Sequence, residues 1–424
     1  MADFRALRPA LPMLIGASLM LSVSMGLRQS LGIFMPDLTR DLSISVSDFT
    51  LAVAVQNLAW GFLQPVAGAL AVRWGYRPVM VGGTLFYIAG LAALMLAQGL
   101  VGVVIGAGVL IGISLACTAS ALAMAVAARS VSIALRSTVL GVVSAAGSLG
   151  AMVAAPLGQW LSQSHGWRIG VLGFVLLALV MIPAAWSAGK VDRMPLPPAG
   201  AGDTADNATM GTALKTALGN ARFVVMALAY FVCGMQLVFL TTHLPSYLDL
   251  CGMDPMLSAQ ALGTIGGFNV LGSLFFGWAG GRWNKQALLG GIYITRSLVL
   301  AWYFVSAPTP TTTLVFAAIM GFLWLGVAPL VAGSVIEMFG LRWQAMISGL
   351  AFVSHQFGSF LGAFGGGMAY DALGSYTLAW QLGVSLGLAA GIAQIGFALW
   401  RPPRPPVLAV GWRRGRGVRC LRLG

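Results

Sequence analysis

The sequence predicts an all-α polytopic membrane protein: twelve transmembrane helices in two pseudo-symmetric six-helix halves. Three observations carry that expectation. Charge is scarce, with 8% of the 424 residues charged, 58% hydrophobic and a mean hydropathy of +0.88. A soluble globular chain carries roughly 25% charged residues. Apolar runs of bilayer length recur along the chain, and a set of motifs repeats at one offset. Twenty-four Lys and Arg with 11 Asp and Glu are too few to solvate such a chain. A soluble enzyme, a disordered chain and an ordinary nucleic-acid-binding domain are excluded. Cys117, Cys233, Cys251 and Cys420 lack paired spacing, so no disulfide framework and no metal site is expected.

A bilayer core of about 30 Å needs about 20 apolar residues per helix. Span one, 10–36, closes at Pro36, and span two, 49–72, at Arg73. Span three, 78–98, is parted from span four, 101–128, only at Gln98 and Gly99, because this stretch carries almost no charge. Span five, 137–161, follows Arg136, and span six, 168–188, lies between Arg168 and Lys190. Span seven, 222–248, ends before Asp249, and span eight, 257–280, before Arg282. Span nine, 287–306, follows Lys285 and is parted from span ten, 312–336, at Pro308 and Pro310. Span eleven, 344–370, follows Arg342, and span twelve, 377–399, precedes Arg401. The two weak cuts leave a count of eleven open. No cleavable signal peptide is expected, since the first apolar run lacks a small-residue cleavage site.

Mapping the cations fixes orientation. With both ends on one side, the inner loops hold Arg5, Arg8, Arg73, Arg77, Arg129, Arg136, Lys190, Arg193, Lys215, Arg222, Arg282, Lys285 and Arg342, and seven more lie in the tail. The outer side holds Arg40 and Arg168; Arg28 and Arg296 lie inside spans. This bias puts both termini in the cytoplasm, so the +13 balance reports topology and not a nucleic-acid partner. The expected organisation is a first half, 1–188, a cytoplasmic linker, 189–220, a second half, 221–400, and a basic, low-complexity tail, 401–424. The linker holds Pro195, Pro197 and Pro198 with Asp203 and Asp206. The tail is expected to be disordered and to lie near anionic headgroups.

The halves repeat. Gly68, Arg73 and Trp74 recur as Gly277, Arg282 and Trp283, an offset of 209, which also relates Pro36 to Pro245. Gly147 and Gly150 of span five match Gly358 and Gly362 of span eleven at 211 and 212, and His165-Gly166 weakly matches Leu373-Gly374 at 208. Such a build suits a carrier that rocks around a site between its halves.

At these residues a family becomes visible. The stretch 68–77, GALAVRWGYR, resembles the loop signature of the major facilitator superfamily, G-x-L-x-D-R-x-G-R-R. It falls between spans two and three and recurs between eight and nine. The resemblance covers about residues 10–400. Within the superfamily the chain looks most like the monocarboxylate and oxalate–formate carriers, through 26–34 (GLRQSLGIF), Phe268 and Asn269 with Gly272 and Ser273, and Ser354, His355 and Gln356 with 358–362 (GSFLG). The resemblance implies a secondary transporter working by alternating access, with Gly68, Arg73, Gly75, Arg77 and Gly277 in gating loops. The signature Asp is replaced by Val72 and Gly281. Gating is then expected to rely on Arg73, Arg77, Arg282, Lys285, Glu337 and Arg342. A span-five motif, Gly147 to Gly158, loosely resembles an antiporter signature.

An ionisable residue at membrane depth is costly and reads as functional. Arg28 lies about 24 Å along a helix from Pro12 at 1.5 Å per residue, where the resemblance implies a basic residue lining the cavity. Its guanidinium offers a fork to a carboxylate. The competing reading is a snorkelling Arg or a pair with Asp37 or Asp41. Arg296 is equally deep but on a span that is peripheral in the family, where packing competes with substrate contact. The carriers' span-eight Arg is absent, with Asn269 in that stretch. His355 lies near mid-span and can bond a carboxylate or titrate; the bland alternative is a satisfied core histidine. Gln356, Asn57 and Gln236 complete the expected substrate contacts, with Gln56 and Gln64 as further polar candidates and His243 at the outer mouth. Each amide has a helix–helix hydrogen bond as its competing reading.

No Asp or Glu falls deep in a span: Glu337 is at an inner end, and Asp37, Asp249 and Asp371 are at outer ends. The field inside the membrane is therefore positive. The expected function is secondary transport of a small organic anion, a mono- or dicarboxylate, with Arg28 as main contact. Coupling would come from a proton, through His355 or with the substrate, or from a counter-anion. The alternative is efflux of hydrophobic drugs or metabolites; a non-transporting receptor is a third reading. No catalytic constellation is present, so no enzyme and no cofactor is expected. The expected setting is a monomer in the inner cell membrane, in contact with lipid.

Overall fold

The computed structural model describes residues 7–195 and 209–399. Arg5, linker residues 196–208 and the basic tail lie outside the described residues. The described chain is helical, without strands. Eleven helical rods are long and apolar enough to cross a bilayer: Leu11–Leu42, Val46–Trp74, Tyr76–Met95, Leu100–Arg129, Ile133–His165, Trp167–Arg193, Ala221–Leu244, Met256–Ala279, Lys285–Val305, Pro310–Phe339 and Thr377–Leu399. Before the last comes the helix Gln344–Phe360, which runs through a π-helical turn, Leu361–Gly365, into Gly366–Leu373. It is long enough, but Gln344, Ser348, His355, Gln356 and Ser359 lower its apolar character. Counted in chain order these are spans one to twelve.

Both weak cuts fall in real loops. Met95 ends span three before Leu100 opens span four, and Pro310 stands in the first turn of span ten behind a Thr309 capping box. Proline fits there because a first-turn N–H has no partner to lose. Span one continues past Pro36 to Leu42 for the same reason, since a 3-10 turn, Leu31–Phe34, restarts the helix at Met35.

Two spans are broken. Span four breaks at extended Ala119, between Ile111–Thr118 and Ser120–Arg129. Span ten breaks at Leu325 and Gly326, between Pro310–Trp324 and Val327–Phe339. The breaks occupy corresponding places in the repeat.

The halves meet where span two crosses span eleven and span five crosses span eight. A Cβ on Gly68 would strike the backbone of Ala345 and Met346, and one on Gly277 would strike that of Gly141. The two repeated glycines thus sit at equivalent crossings, where only a hydrogen lets the backbones approach. Further contacts are Ser144 to Ser273 (Oγ–Oγ 3.3 Å), Trp60 to Phe352 (ring centroids 4.6 Å) and Phe62 to Phe357 (5.4 Å). They lie toward the end bearing loops 73–77 and 281–286, called here the basic end. Toward the far end, Gly263, Gly266 and Gly267 of span eight have open space beside them. The named contacts between the halves run from mid-span to the basic end, and span eight is open beside its far-end glycines.

Candidate functional site

Four of the expected substrate residues converge where the halves meet. Arg28 Nη2 donates to Asn57 Oδ1 at 2.5 Å. Its guanidinium lies over the Trp60 ring, 5.1 Å from the centroid, because residues three apart share a helix face. Gln356 Nε2 of span eleven donates to the Asn57 carbonyl at 2.9 Å, which joins the two halves. His355 Nδ1 lies 3.3 Å from Gln356 Oε1 and 3.4 Å from Ser359 Oγ. The His355 ring is stacked by Phe352 (5.3 Å) and faced by Tyr230 (4.6 Å). Trp60, Phe352 and Tyr230 form an aromatic floor on the basic-end side of these polar groups.

Arg28 keeps a buried Nε with no partner. The acids expected to compete for it are engaged elsewhere: Asp37 pairs with Arg40 at 3.7 Å, and Asp41 pairs with Arg168 and accepts from Trp167 Nε1. The described ion pairs lie at the ends of the bundle. The middle therefore holds a guanidinium, an imidazole and amides, a set suited to a carboxylate.

The structure places the other three expected residues outside this group. Arg296 is 1% exposed; it donates to Cys233 Sγ and to the Leu323 carbonyl, both at 3.2 Å. Asn269 Oδ1 accepts from Leu325 N at 3.3 Å. Both side chains thus satisfy backbone groups at the break in span ten, a need that a membrane makes acute. Gln236 donates to the Gly383 carbonyl at 2.8 Å and to Ser297 Oγ at 3.3 Å, tying spans seven, nine and twelve. Gln56 donates to the Ala107 carbonyl at 2.6 Å. His243 bonds the Ala363 carbonyl at 2.9 Å between Phe239 and Tyr376 and is nearly buried, not open to the outer mouth. Depth along a span is legible in sequence; the direction a side chain faces around it is not.

At the basic end, Asp192 does for span three what Val72 cannot. Its carboxylate accepts from Tyr76 N (2.7 Å) and Arg77 N (2.9 Å). Gly75, at φ +96°, leaves room for it: a Cβ would stand 2.9 Å from Asp192 Oδ2. A carboxylate at a helix N-terminus satisfies free N–H groups and meets the positive end of the dipole. Arg77 lies over Trp186 at 4.4 Å, and Arg129 donates to the Met194 carbonyl at 3.3 Å. In the second half Lys285 pairs with Glu337, Arg282 lies over Trp278 (4.1 Å) and Arg342 over Trp343 (5.6 Å). Arg73 is exposed.

Sequence reasoning missed Trp60, Phe352, Tyr230 and Asp192. Trp60 stands three residues from Asn57 and Phe352 three from His355, so helical spacing held a signal for both. Asp192 meets its partners across more than a hundred residues and left none.

A profile of the Major Facilitator Superfamily matches residues 17–363. The chain is similar to human Monocarboxylate transporter 11, 32% identical over 381 residues, covering 86% of this chain and 72% of that protein. It is similar to rat Monocarboxylate transporter 13, 26% identical, covering 77% of this chain and 74% of that protein. In fold it matches a solved structure of FucP, a major facilitator transporter in the outward conformation, with TM-score 0.72, 16% identity and coverage of 94% and 100%.

Proposed function

The chain belongs to the major facilitator superfamily, and from that premise we propose that it carries a small organic anion, a mono- or dicarboxylate, with Arg28 as the principal contact. The observation that carries the reading is the Arg28–Asn57–Gln356–His355 group, which draws on both halves. Arg28 presents an unpaired buried donor there, and no carboxylate of the described ion pairs neutralises it. A substrate carboxylate would take the guanidinium fork, with Asn57 and Gln356 turning to its second oxygen. His355 is the one imidazole of the group and offers a place for a coupling proton; exchange with a counter-anion is the other route. The relatives' name, monocarboxylate transporter, supports the same class of cargo. The orientation we propose has the basic end in the cytoplasm, both termini with it, in the inner cell membrane, and the working unit is a monomer.

Rocking of the halves about the crossings at Gly68 and Gly277 would close the far end over the bound anion and open the basic end. The test is uptake of labelled pyruvate, lactate and a dicarboxylate panel into proteoliposomes. Arg28→Ala removes a charge-assisted contact of about 1.5–3 kcal/mol, so binding should weaken about ten- to a hundredfold. Undiminished uptake by that variant would sink the assignment of Arg28.

A further inference from the structure

Beneath the aromatic floor, on the basic-end side, lies a small chamber of about 30 Å³ lined by both halves. That volume holds at least one water. Gln64 and Gln344 line it, and both are fully buried. Neither Gln64 Nε2 nor Gln64 Oε1 has a partner, and Gln344 Oε1 has none; Gln344 Nε2 donates to Ser348 Oγ at 3.3 Å. Buried amide groups without partners cost free energy, so these atoms need an occupant.

The two broken spans converge on the same space. Ser120 and Ala121 line it from the first turn of the ten-residue helix Ser120–Arg129. Ala328 lines it from the first turn of the thirteen-residue helix Val327–Phe339, where its own N–H donates to the Leu325 carbonyl at 3.3 Å and Pro329 has none. A helix N-terminus presents free N–H groups and about half a positive charge. These two ends line the chamber from corresponding places in the two halves, and no cation lines it. Gln64 lies seven residues past Asn57, about 10 Å further along span two.

We infer that this chamber is a second anion station: the N-termini of the two half-helices, with Gln64, Gln344 and Ser348, receive the carboxylate after it leaves Arg28. Water occupies the station while the basic end is closed. Asn269 and Arg296 belong to this device as positioning residues, since their bonds to Leu325 N and the Leu323 carbonyl hold the break in span ten. The inference rests on an anionic cargo, and its test separates the two.

The full chain in proteoliposomes is assayed for pyruvate binding and turnover. Gln64→Glu places a fixed carboxylate at the helix ends, so turnover should fall at least about tenfold while pyruvate affinity at the far-side cavity stays within a factor of about three. Gln64→Leu should lower turnover in the same sense and guards against a folding defect of the Glu variant. Arg28→Ala should instead lose binding. Normal turnover in both Gln64 variants, or loss of binding equal to that of Arg28→Ala, overturns the second station. Loss of turnover in the Gln64 variants with intact binding by Arg28→Ala leaves the station standing and removes the first reading. Independently of cargo, Ser348→Cys should react with a small methanethiosulfonate reagent applied from the basic end, with mass spectrometry locating the adduct. Reaction from the far end alone, or from neither, overturns the proposal.

Discussion

Arg28 decides the chemistry because it is a fork and not a point charge. It holds Asn57 with one nitrogen, lies over Trp60 and keeps Nε free. Lysine keeps the charge but has neither the planar donor pair nor the stacking face. Arg28→Lys should therefore retain measurable pyruvate binding but lose about tenfold in affinity, measured by thermal shift on purified protein. Equal affinity would mean that charge alone is read. Asp192 acts at the same scale. Asp192→Asn keeps one acceptor but removes the charge facing the start of span three, so stability should fall by roughly 1 kcal/mol. A melting temperature unchanged from the parent would show that Tyr76 and Arg77 find other acceptors. The depth of Arg28 was legible in the sequence, since a guanidinium between Pro12 and Pro36 has few places to be. Asp192 was not, because its partnership depends on how span six returns beside span three.

At the scale of the element, glycines and breaks do the positioning. Gly277 and Gly68 are read in the sequence as loop-signature residues; in the structure each is a helix crossing. Gly277→Leu would drive a side chain into the Gly141 backbone, and overpacking of this kind usually costs 1–3 kcal/mol. The strain exists only while the basic end is closed, so the variant should favour the opposite state. The measurement is thiol reactivity of Ser348→Cys from the basic end, which should rise; unchanged reactivity would mean that span five yields instead. The break in span four carried no proline to announce it; the break in span ten lies just before Pro329, which has no N–H to donate and whose ring bars the carbonyl four residues back, that of Leu325. Around the span-ten break, Asn269 and Arg296 satisfy the backbone with hydrogen bonds. This is why two residues that sequence reasoning assigned to substrate emerged as ties: a polar side chain at the right depth satisfies either demand, and only its direction tells which.

At the scale of the whole molecule, alternating access requires the two crossings to separate together. Ser144 and Ser273 face each other across the span five–span eight crossing at 3.3 Å. Replacing both by cysteine should permit a disulfide, since their side-chain atoms already approach closely. Oxidation should stop transport, and a reductant should restore it. Transport that survives proven cross-linking would show that this crossing does not open. The chain was a membrane protein of twelve helices in two halves by sequence alone, because bilayer thickness fixes span length, charge fixes where spans end, and a repeated motif survives in numbering. Arg28, Asn57, His355 and Gln356 could be nominated on the same ground, since polar groups deep in apolar runs are few. Which of the polar candidates meet was a tertiary matter: it depends on the rotation of each helix about its axis and on the angle at which the halves cross. Uniformly apolar spans leave that rotation unmarked, and the packing of glycine against backbone sets it.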